Sequence, residues 1–459
     1  MARSITFLLL PLYTNVFSLE NYGIISLVYT FLGFMNIILH YGLDASLLKH
    51  YVPADQEEKK SILTNTYVSF FTTTTVFVII MILLKNHVST LLFGINIPKA
   101  VLLISGILFF DILWAIHVLI LRAEEKYILF SGINLFNVLS SLGLNLYFVF
   151  YLQFGIYGVL LSNIITSGCI FLATFPIILK RISFNTISIE KWKKLMKFGY
   201  PFLFAGIFSM ILELSDRYIL HYLTDIETVG LYSAGYKIGM FMMLVVMGFN
   251  MAWQPYFLKK SIIEKKYINQ VTTIVIPILF FLWILLLIWS NDLIRIQFWN
   301  STFFGEKYWD SAKIIPVIAL AYIFHAVYLL QLPGVYLLDK PGWIALIQGI
   351  GAAVNIILNF LLIPEYGIMG AASATCLSLM LIAVIFYFIN KQIFPISYNW
   401  NKLWVILITT GLIYFIQYNL KLNFSMKILV SISYPAIMIF TGVFKLKYFL
   451  KITSNGINY

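Results

Sequence analysis

Residues 198–222 read FGYPFLFAGIFSMILELSDRYILHY. The stretch is long and apolar enough to cross a bilayer as a helix, which takes roughly 20 residues, yet its last third carries Glu213, Asp216 and Arg217. Charge within a spanning helix is costly and usually faces a bundle interior or a wet cavity. Spacings of three and four place these side chains on adjoining parts of one face. The stretch therefore predicts a membrane protein with a hydrophilic interior.

The composition of the whole chain favours the same class. Of 459 residues, 61% are hydrophobic and 11% are charged, whereas soluble domains average about 25% charged residues. A net charge of +12 would indicate nucleic acid in a soluble protein, but here we attribute it to loop lysines that set orientation and to a basic lumen, and we expect no nucleic-acid partner. Cys169 and Cys376 lie in apolar runs and are interpreted as small core residues, not as a disulfide or a metal site.

Hydropathy predicts an all-α integral membrane protein with about 14 transmembrane helices. The predicted spans lie near residues 2–17, 22–46, 62–84, 98–121, 128–152, 155–179, 198–222, 228–254, 268–290, 312–337, 343–363, 367–389, 402–419 and 426–444. Lysines and arginines are concentrated in the connections on the side of the N-terminus. The positive-inside rule therefore predicts that both termini are cytoplasmic.

An internal repeat indicates how the spans are organised. Residues 21–29 (NYGIISLVY) resemble residues 228–236 (TVGLYSAGY) at an offset of 207, and residues 154–158 (FGIYG) resemble residues 366–370 (YGIMG) at an offset of 212. Matches in the same order with similar offsets predict a six-span duplication. Because six is even, both copies have the same orientation, and a pseudo-two-fold axis along the membrane normal should relate them.

The repeat predicts four segments. They are an N-terminal six-helix lobe (1–179), a basic cytoplasmic linker (180–197), a C-terminal six-helix lobe (198–390), and two additional transmembrane helices with a basic cytoplasmic tail (391–459).

Several short segments form a recognisable set: FLLLPLYT (7–14), SLENYG (18–23), GLD (42–44), SDRYIL (215–220), VGLYSA (229–234) and AWQPY (252–256). The first three resemble the opening of the polysaccharide-transporter (O-antigen flippase) family of the multidrug/oligosaccharidyl-lipid/polysaccharide exporter superfamily. The other three are similar to the start of that family's second half. The resemblance runs from residue 7 to about residue 390.

The resemblance implies two lobes around a central cavity that work by alternating access. It implies a bacterial inner-membrane flippase that moves an oligosaccharide on undecaprenyl diphosphate from the cytoplasmic to the periplasmic leaflet. The sugar would be an O-antigen repeat or a capsular or exopolysaccharide repeat. Membrane lipids and a polysaccharide polymerase or chain-length machinery are the expected partners. No cofactor is expected, and a coupling ion would be H⁺ or Na⁺.

Two charged residues lie deep in predicted spans. At 1.5 Å of rise per residue, Lys237 lies about 14 Å and Asp111 about 20 Å below the start of its span, deeper than a side chain can easily reach the interface. Lys237 would attract a diphosphate or acidic sugars, and Asp111 would line the lumen. The alternative for both is a buried ion pair that fixes helix packing.

The charged end of residues 198–222 allows two interpretations. Glu213, Asp216 and Arg217 would serve as an outer gate or contact substrate, or Arg217 would pair with Glu213 or reach the headgroups. Asp44 is interpreted as a cytoplasmic gate or an interfacial residue.

Tyr29, Asn36 and His40 form a stripe on the second span. Such groups suit sugar hydroxyls and ring faces, but they equally suit helix packing. His325 is a candidate proton relay because of the ordinary pKa range of histidine. No histidine has a second ligand at metal spacing, so no metal site is predicted.

No catalytic motif was recognised, so an enzyme is not expected. A cation-coupled multidrug or toxin exporter of the same superfamily stays open as an alternative, and it would require an anionic lumen. A membrane glycosyltransferase or polysaccharide polymerase is a third possibility. It would need a large charged external loop, and the longest one, near 291–311, holds few charges.

Overall fold

The computed structural model describes residues 9–259, 265–298, 301–338, 342–396, 398–420 and 422–444. The start of the first predicted span and the C-terminal tail lie outside these residues. The described residues are mainly helical, and two short strands, β1 (Gln297–Phe298) and β2 (Ser301–Thr302), pair antiparallel.

The α-helices in chain order are α1 (Leu10–Val16), α2 (Leu19–His40), α3 (Leu43–Tyr51), α4 (Gln56–Leu83), α5 (Lys85–Phe93), α6 (Pro98–Ala123), α7 (Tyr127–Asn145), α8 (Gly155–Leu179), α9 (Ile189–Leu223), α10 (Ile226–Gly239), α11 (Phe241–Lys259), α12 (Lys265–Ile294), α13 (Ile315–Leu337), α14 (Gly342–Tyr366), α15 (Ile368–Ile393), α16 (Trp400–Asn419) and α17 (Phe424–Phe440). A π-helical turn (Leu146–Tyr151) continues α7, and 3₁₀ segments occupy Phe184–Thr186 and Glu306–Ile314.

Each predicted span coincides with helix in the described residues, and eleven helical segments are long and apolar enough to cross a membrane. The chain is a multi-pass membrane protein. The main departure concerns the second span, which ends at His40 because Tyr41 and Gly42 adopt positive φ of 32° and 76°. Asp44 therefore lies in the first turn of the separate short helix α3, exposed.

The chain packs as two compact units, residues 1–233 and 234–459. The boundary lies within α10. The second half of the segment predicted as a linker is helical, since α9 begins at Ile189, and Ser188 caps this helix by accepting a hydrogen bond from Lys191 N.

In the first unit, a reciprocal contact joins the start of α2 to the start of α10. A Cβ on Gly23 would overlap Ile226 O, and a Cβ on Gly230 would overlap Leu19 O. Each of these pairs consists of residues from the two copies of the repeat, and the offset of 207 maps one contact onto the other. A local two-fold axis therefore relates residues 19–26 to residues 226–233, which supports the duplication.

Small residues also allow α9 to approach α2 and α3 closely. A Cβ on Gly206 would lie 2.7 Å from Ile37 Cγ2, and one on Gly199 would lie 2.7 Å from Gly42 O. Such contacts are typical of membrane helices, because association there depends on van der Waals packing of closely approaching backbones. The face of α9 that carries Gly206 is thus a packing face.

In the second unit, α15 packs against α13 and α14. The C-terminal pair α16 and α17 packs on α12, where Trp289 Nε1 donates to Ser431 Oγ at 3.0 Å. These contacts agree with the predicted C-terminal helix pair.

A charged cluster ties the ends of α3, α6 and α8 together on the side predicted to be cytoplasmic. Arg181 binds both carboxylate oxygens of Glu124, at 2.9 and 2.7 Å, and Lys126 and Tyr51 bind the same carboxylate. Burial by itself would raise the pKa of Glu124, but the hydrogen bonds from these three residues outweigh it and lower the pKa to about 2.

This pKa predicts the direction of a pH effect. A folded-state pKa below the unfolded value of about 4.3 stabilises the protein above that pH and loses its effect as pH falls toward 2. For a partly exposed group the contribution is about 1 kcal/mol. We expect the difference in melting temperature between wild type and Glu124→Gln to shrink as pH falls from 5 to 3. A difference that stays constant over that range would contradict the assignment.

Candidate functional site

The first unit contains a cluster of polar side chains from α2, α6 and α8, here called the interior cluster: Tyr29, Asp111, Trp114, Asn163 and Ser167. Asp111 Oδ1 accepts hydrogen bonds from Ser167 Oγ at 2.5 Å and from Trp114 Nε1 at 2.9 Å. Asn163 Nδ2 donates to Tyr29 Oη at 2.9 Å. Asn163 and Ser167 are four residues apart on α8 and so share one face.

The interior cluster continues to α1 and to the end of α7. Tyr13 and Tyr29 lie within electrostatic interaction range of each other, and Tyr13 Oη donates to Asn145 Oδ1 at 2.7 Å. Asn145 is fully buried at the point where α7 becomes the π-helical turn. π-helical turns are frequent at functional sites. Polar side chains of four elements, α1, α2, α7 and α8, therefore interact with one another inside the unit.

Asp111 differs from Asp216, which is paired with an arginine. Both donors to Asp111 are neutral, and neither a lysine nor an arginine of the described residues pairs with it. His40 lies within electrostatic reach. A carboxylate held in an apolar bundle by neutral donors can take up a proton or a metal cation, because either neutralises its charge.

Of the three residues of the predicted stripe on α2, only Tyr29 belongs to the interior cluster. His40 Nδ1 contacts the main-chain oxygen of Asn36 at 2.6 Å, and the His40 ring packs edge-on against Phe70. Asn36 thus meets His40 through its backbone.

The charged end of α9 forms a buried ion pair. Arg217 Nη1 donates to Asp216 Oδ1 and to Glu213 O, each at 2.7 Å. Tyr232 of α10 donates to the second oxygen of Asp216. Asp216 is 1% and Arg217 6% exposed, so Arg217 points into protein and not into acyl chains. This geometry favours the interpretation in which the charges at this end of α9 neutralise one another, with Asp216 as a carboxylate partner of Arg217.

Two other candidates, Lys237 and His325, belong to the second unit. Lys237 is partly exposed on α10, next to the buried Tyr236, whose hydroxyl is hydrogen bonded to Tyr322 at 2.8 Å. His325 is also partly exposed and packs against Tyr328 at 5.6 Å between ring centroids.

Sequence reasoning missed Trp114, Asn163, Ser167, Tyr13 and Asn145. A search for polar residues at spacing four within apolar spans would have found Asn163 and Ser167, and Tyr13 lies in the FLLLPLYT segment. His117 of α6 is fully buried. Its Nδ1 meets Thr174 Oγ1 at 2.6 Å. The described residues contain no group of three potential metal ligands.

Comparison with known proteins gives one family match and two similar curated proteins. The family described as polysaccharide biosynthesis protein matches residues 1–261. An uncharacterized membrane protein of Methanocaldococcus jannaschii is 21% identical over 90% of this chain and 85% of its own length. One of Haemophilus influenzae is 20% identical over 56% of this chain, and the match spans 62% of that protein's length.

Solved structures show the same fold. The lipid II flippase MurJ, in an inward closed conformation, superposes with a TM-score of 0.78 at 18% identity and covers 97% of both chains. An inward-facing multidrug resistance MATE family transporter of the MOP superfamily gives a TM-score of 0.67 at 14% identity, covering 85% of this chain and 94% of that one. The fold is that of the MurJ and MATE transporters.

Proposed function

Because the chain belongs to the polysaccharide biosynthesis protein family, we propose that it is a flippase for lipid-linked oligosaccharides. It would carry undecaprenyl-diphosphate-linked repeat units, of O-antigen or of a capsular or exopolysaccharide, from the cytoplasmic to the outer leaflet of a bacterial inner membrane. The observation that carries the proposal is the family match over residues 1–261 in a chain with a transporter fold.

The interior cluster supports this proposal chemically. Amide, hydroxyl and indole groups clustered inside an apolar bundle suit sugar hydroxyls and ring faces. A partly exposed Lys237 within a span supplies a positive charge for a diphosphate, as a point charge with three donors. A polymerase or chain-length protein would take the product in the outer leaflet.

The direct test uses a strain that lacks the gene. We expect surface polysaccharide to be lost and its lipid-linked precursor to accumulate on the cytoplasmic side, with both defects reversed by the wild-type gene. In proteoliposomes, the purified protein should make a fluorescent undecaprenyl-diphosphate oligosaccharide accessible from the opposite leaflet. Unchanged polysaccharide and no accumulated precursor in the deletion strain would overturn the proposal.

Lys237→Gln is expected to lower the flipping rate at least tenfold at unchanged protein abundance. A charge contact to a phosphate contributes roughly 1.5–3 kcal/mol, and 1.4 kcal/mol is a factor of ten. Lys237→Arg should retain more activity, because it keeps the charge. Lys307→Gln, which removes an exposed lysine near Tyr308, is the matched control. If Lys237→Gln retained full flipping activity, Lys237 would not be a substrate-binding residue.

For the driving force, we propose that Asp111 takes up the coupling ion, H⁺ or Na⁺. Asp111→Asn keeps the hydrogen bonds from Ser167 and Trp114 feasible but removes the charge. It should abolish the dependence of transport on the ion gradient. Ser105→Ala on the same helix, where the hydroxyl bonds only the backbone, should leave that dependence intact.

A cation-coupled drug exporter is the second candidate, and the same carboxylate together with the MATE-like fold favours it. Drug efflux that is lost in Asp111→Asn, in cells whose polysaccharide is normal, would support the exporter. For a glycosyltransferase or polymerase the external loop offers little support, since Asp292 pairs with Lys427 and Arg295 stacks over Trp309.

A further inference from the structure

Residues 183–188, which precede α9 on the predicted cytoplasmic side, are held against α4 by buried polar side chains. Asn65 Oδ1 accepts a hydrogen bond from Ser188 N at 2.8 Å, and its Nδ2 donates to Thr186 O at 3.0 Å. Thr64 Oγ1 accepts from Ser183 N at 3.0 Å. These hydrogen bonds fix the position of residues 183–188 against α4, and so they also fix the start of α9.

The first turns of α9, residues 189–197, are here called the α9 extension. Trp192 Nε1 donates to Ser69 Oγ at 2.8 Å, and Lys191 Nζ donates to Ser61 Oγ at 2.9 Å. Leu195 is buried on the same side as Trp192, as expected for residues three apart on a helix. This side of the extension is thus occupied by protein contacts.

The opposite side carries three exposed lysines, Lys193, Lys194 and Lys197. None of the three forms a hydrogen bond or an ion pair with another described residue. Tyr200, one turn further on, is 52% exposed, and Ile189, at the start of the helix, is 72% exposed. Lysines between exposed apolar residues are the pattern of a helix that lies at a membrane interface.

The distances along the helix place the three lysines within or just outside the headgroup layer of a bilayer. At 1.5 Å per residue, Lys197 lies about 4.5 Å and Lys193 about 10 Å from Tyr200. A headgroup layer is roughly 5–8 Å thick on each side of the hydrocarbon core. With Tyr200 at the edge of the core, where tyrosines concentrate, Lys197 lies within the headgroup layer, and Lys193 and Lys194 lie just outside it, facing the lipid phosphates.

We propose that the exposed face of the α9 extension binds the headgroups of anionic phospholipids in the leaflet on the predicted cytoplasmic side. The positive charge of the face is complementary to the negative charge of anionic lipid headgroups. Lysines act as separate point charges, without the planar forks that arginines offer to one bound phosphate. The face therefore suits many exchanging headgroups. The proposal is independent of the transported substrate.

The test is native mass spectrometry of the full-length protein with added lipid. Each lysine near an anionic surface contributes about a fivefold change in binding. Lys193→Gln, Lys194→Gln and Lys197→Gln together should lower retention of phosphatidylglycerol at least tenfold and leave phosphatidylcholine unchanged. The matched control replaces three exposed lysines elsewhere, Lys99, Lys307 and Lys313, by glutamine and should retain phosphatidylglycerol.

A triple-arginine variant at the same three positions checks folding and should bind phosphatidylglycerol like the wild type. Equal retention by the glutamine variant and the wild type would overturn the proposal. So would displacement of phosphatidylglycerol from this face by stoichiometric undecaprenyl diphosphate, because the face would then belong to the substrate and not to bulk lipid.

Discussion

Gly23→Ala and Gly230→Ala are each expected to lower the thermal stability of the protein, although alanine is the better helix former. Both glycines are helix-interior residues, where the change to alanine would by itself stabilise by about 1 kcal/mol. A new methyl group at either position would overlap a carbonyl oxygen of the facing helix. Because that obstacle is backbone, α2 and α10 must move apart, and overpacking of this kind costs about 1–3 kcal/mol or more.

Gly248→Ala is the matched control, since a Cβ there would meet no atom within 4 Å. It should leave the melting temperature in detergent unchanged or raise it slightly. The double variant Gly23→Ala/Gly230→Ala should be less destabilised than the sum of the single variants, because one methyl group already separates the helices. Additive losses, or single variants that behave like Gly248→Ala, would contradict the reciprocal contact.

If either methyl group pushes α2 and α10 apart, the hydrogen bond between Ser26 Oγ and Ser233 Oγ, which are 2.5 Å apart, should also break. These two serines are again related by the offset of 207 residues. We expect Ser26→Ala to lower stability in the wild type but not in the Gly23→Ala variant. That result would confirm that Ser26 and Gly23 belong to the same contact between α2 and α10.

Arg217→Met is the second large effect, and we expect it to destabilise the protein by about 3–5 kcal/mol. Removing one partner of a buried ion pair leaves the other charge without compensation, and Asp216 is 1% exposed. Asp216→Asn should also destabilise, since Arg217 and Tyr232 both donate to this carboxylate. The double variant Asp216→Asn/Arg217→Met should recover part of the lost stability, because it leaves no buried charge without a partner.

The exposed pair of Asp292 and Lys427 provides the control. Its carboxylate side chain is 45% exposed, and such pairs contribute about 0–1 kcal/mol, so Asp292→Asn should change the free energy of unfolding little. Transport measured beside stability separates the two interpretations of Arg217. An Arg217→Met variant that stays as stable as wild type but does not flip substrate would make Arg217 a substrate contact and not a packing residue.

Sequence reasoning located the helices because a span is a local property: about 20 apolar residues must satisfy their own backbone hydrogen bonds in lipid. The break at Tyr41–Gly42 escaped it, since the apolar run continues through the two residues whose positive φ ends the helix. The repeat could also be predicted, because duplicated packing retains small residues such as Gly23 and Gly230 at equal spacing.

The amino-acid sequence by itself determined the membrane class, the helices, the duplication and the candidate charges within the spans. Only the tertiary structure decided which groups these charges meet: Asp216 and the backbone of Glu213 for Arg217, and Ser167 and Trp114 for Asp111. The reason is physical. Hydropathy and helical period are set by neighbours along the chain, whereas the partner of a buried polar group depends on which helices pack together and on the rotamers that packing allows.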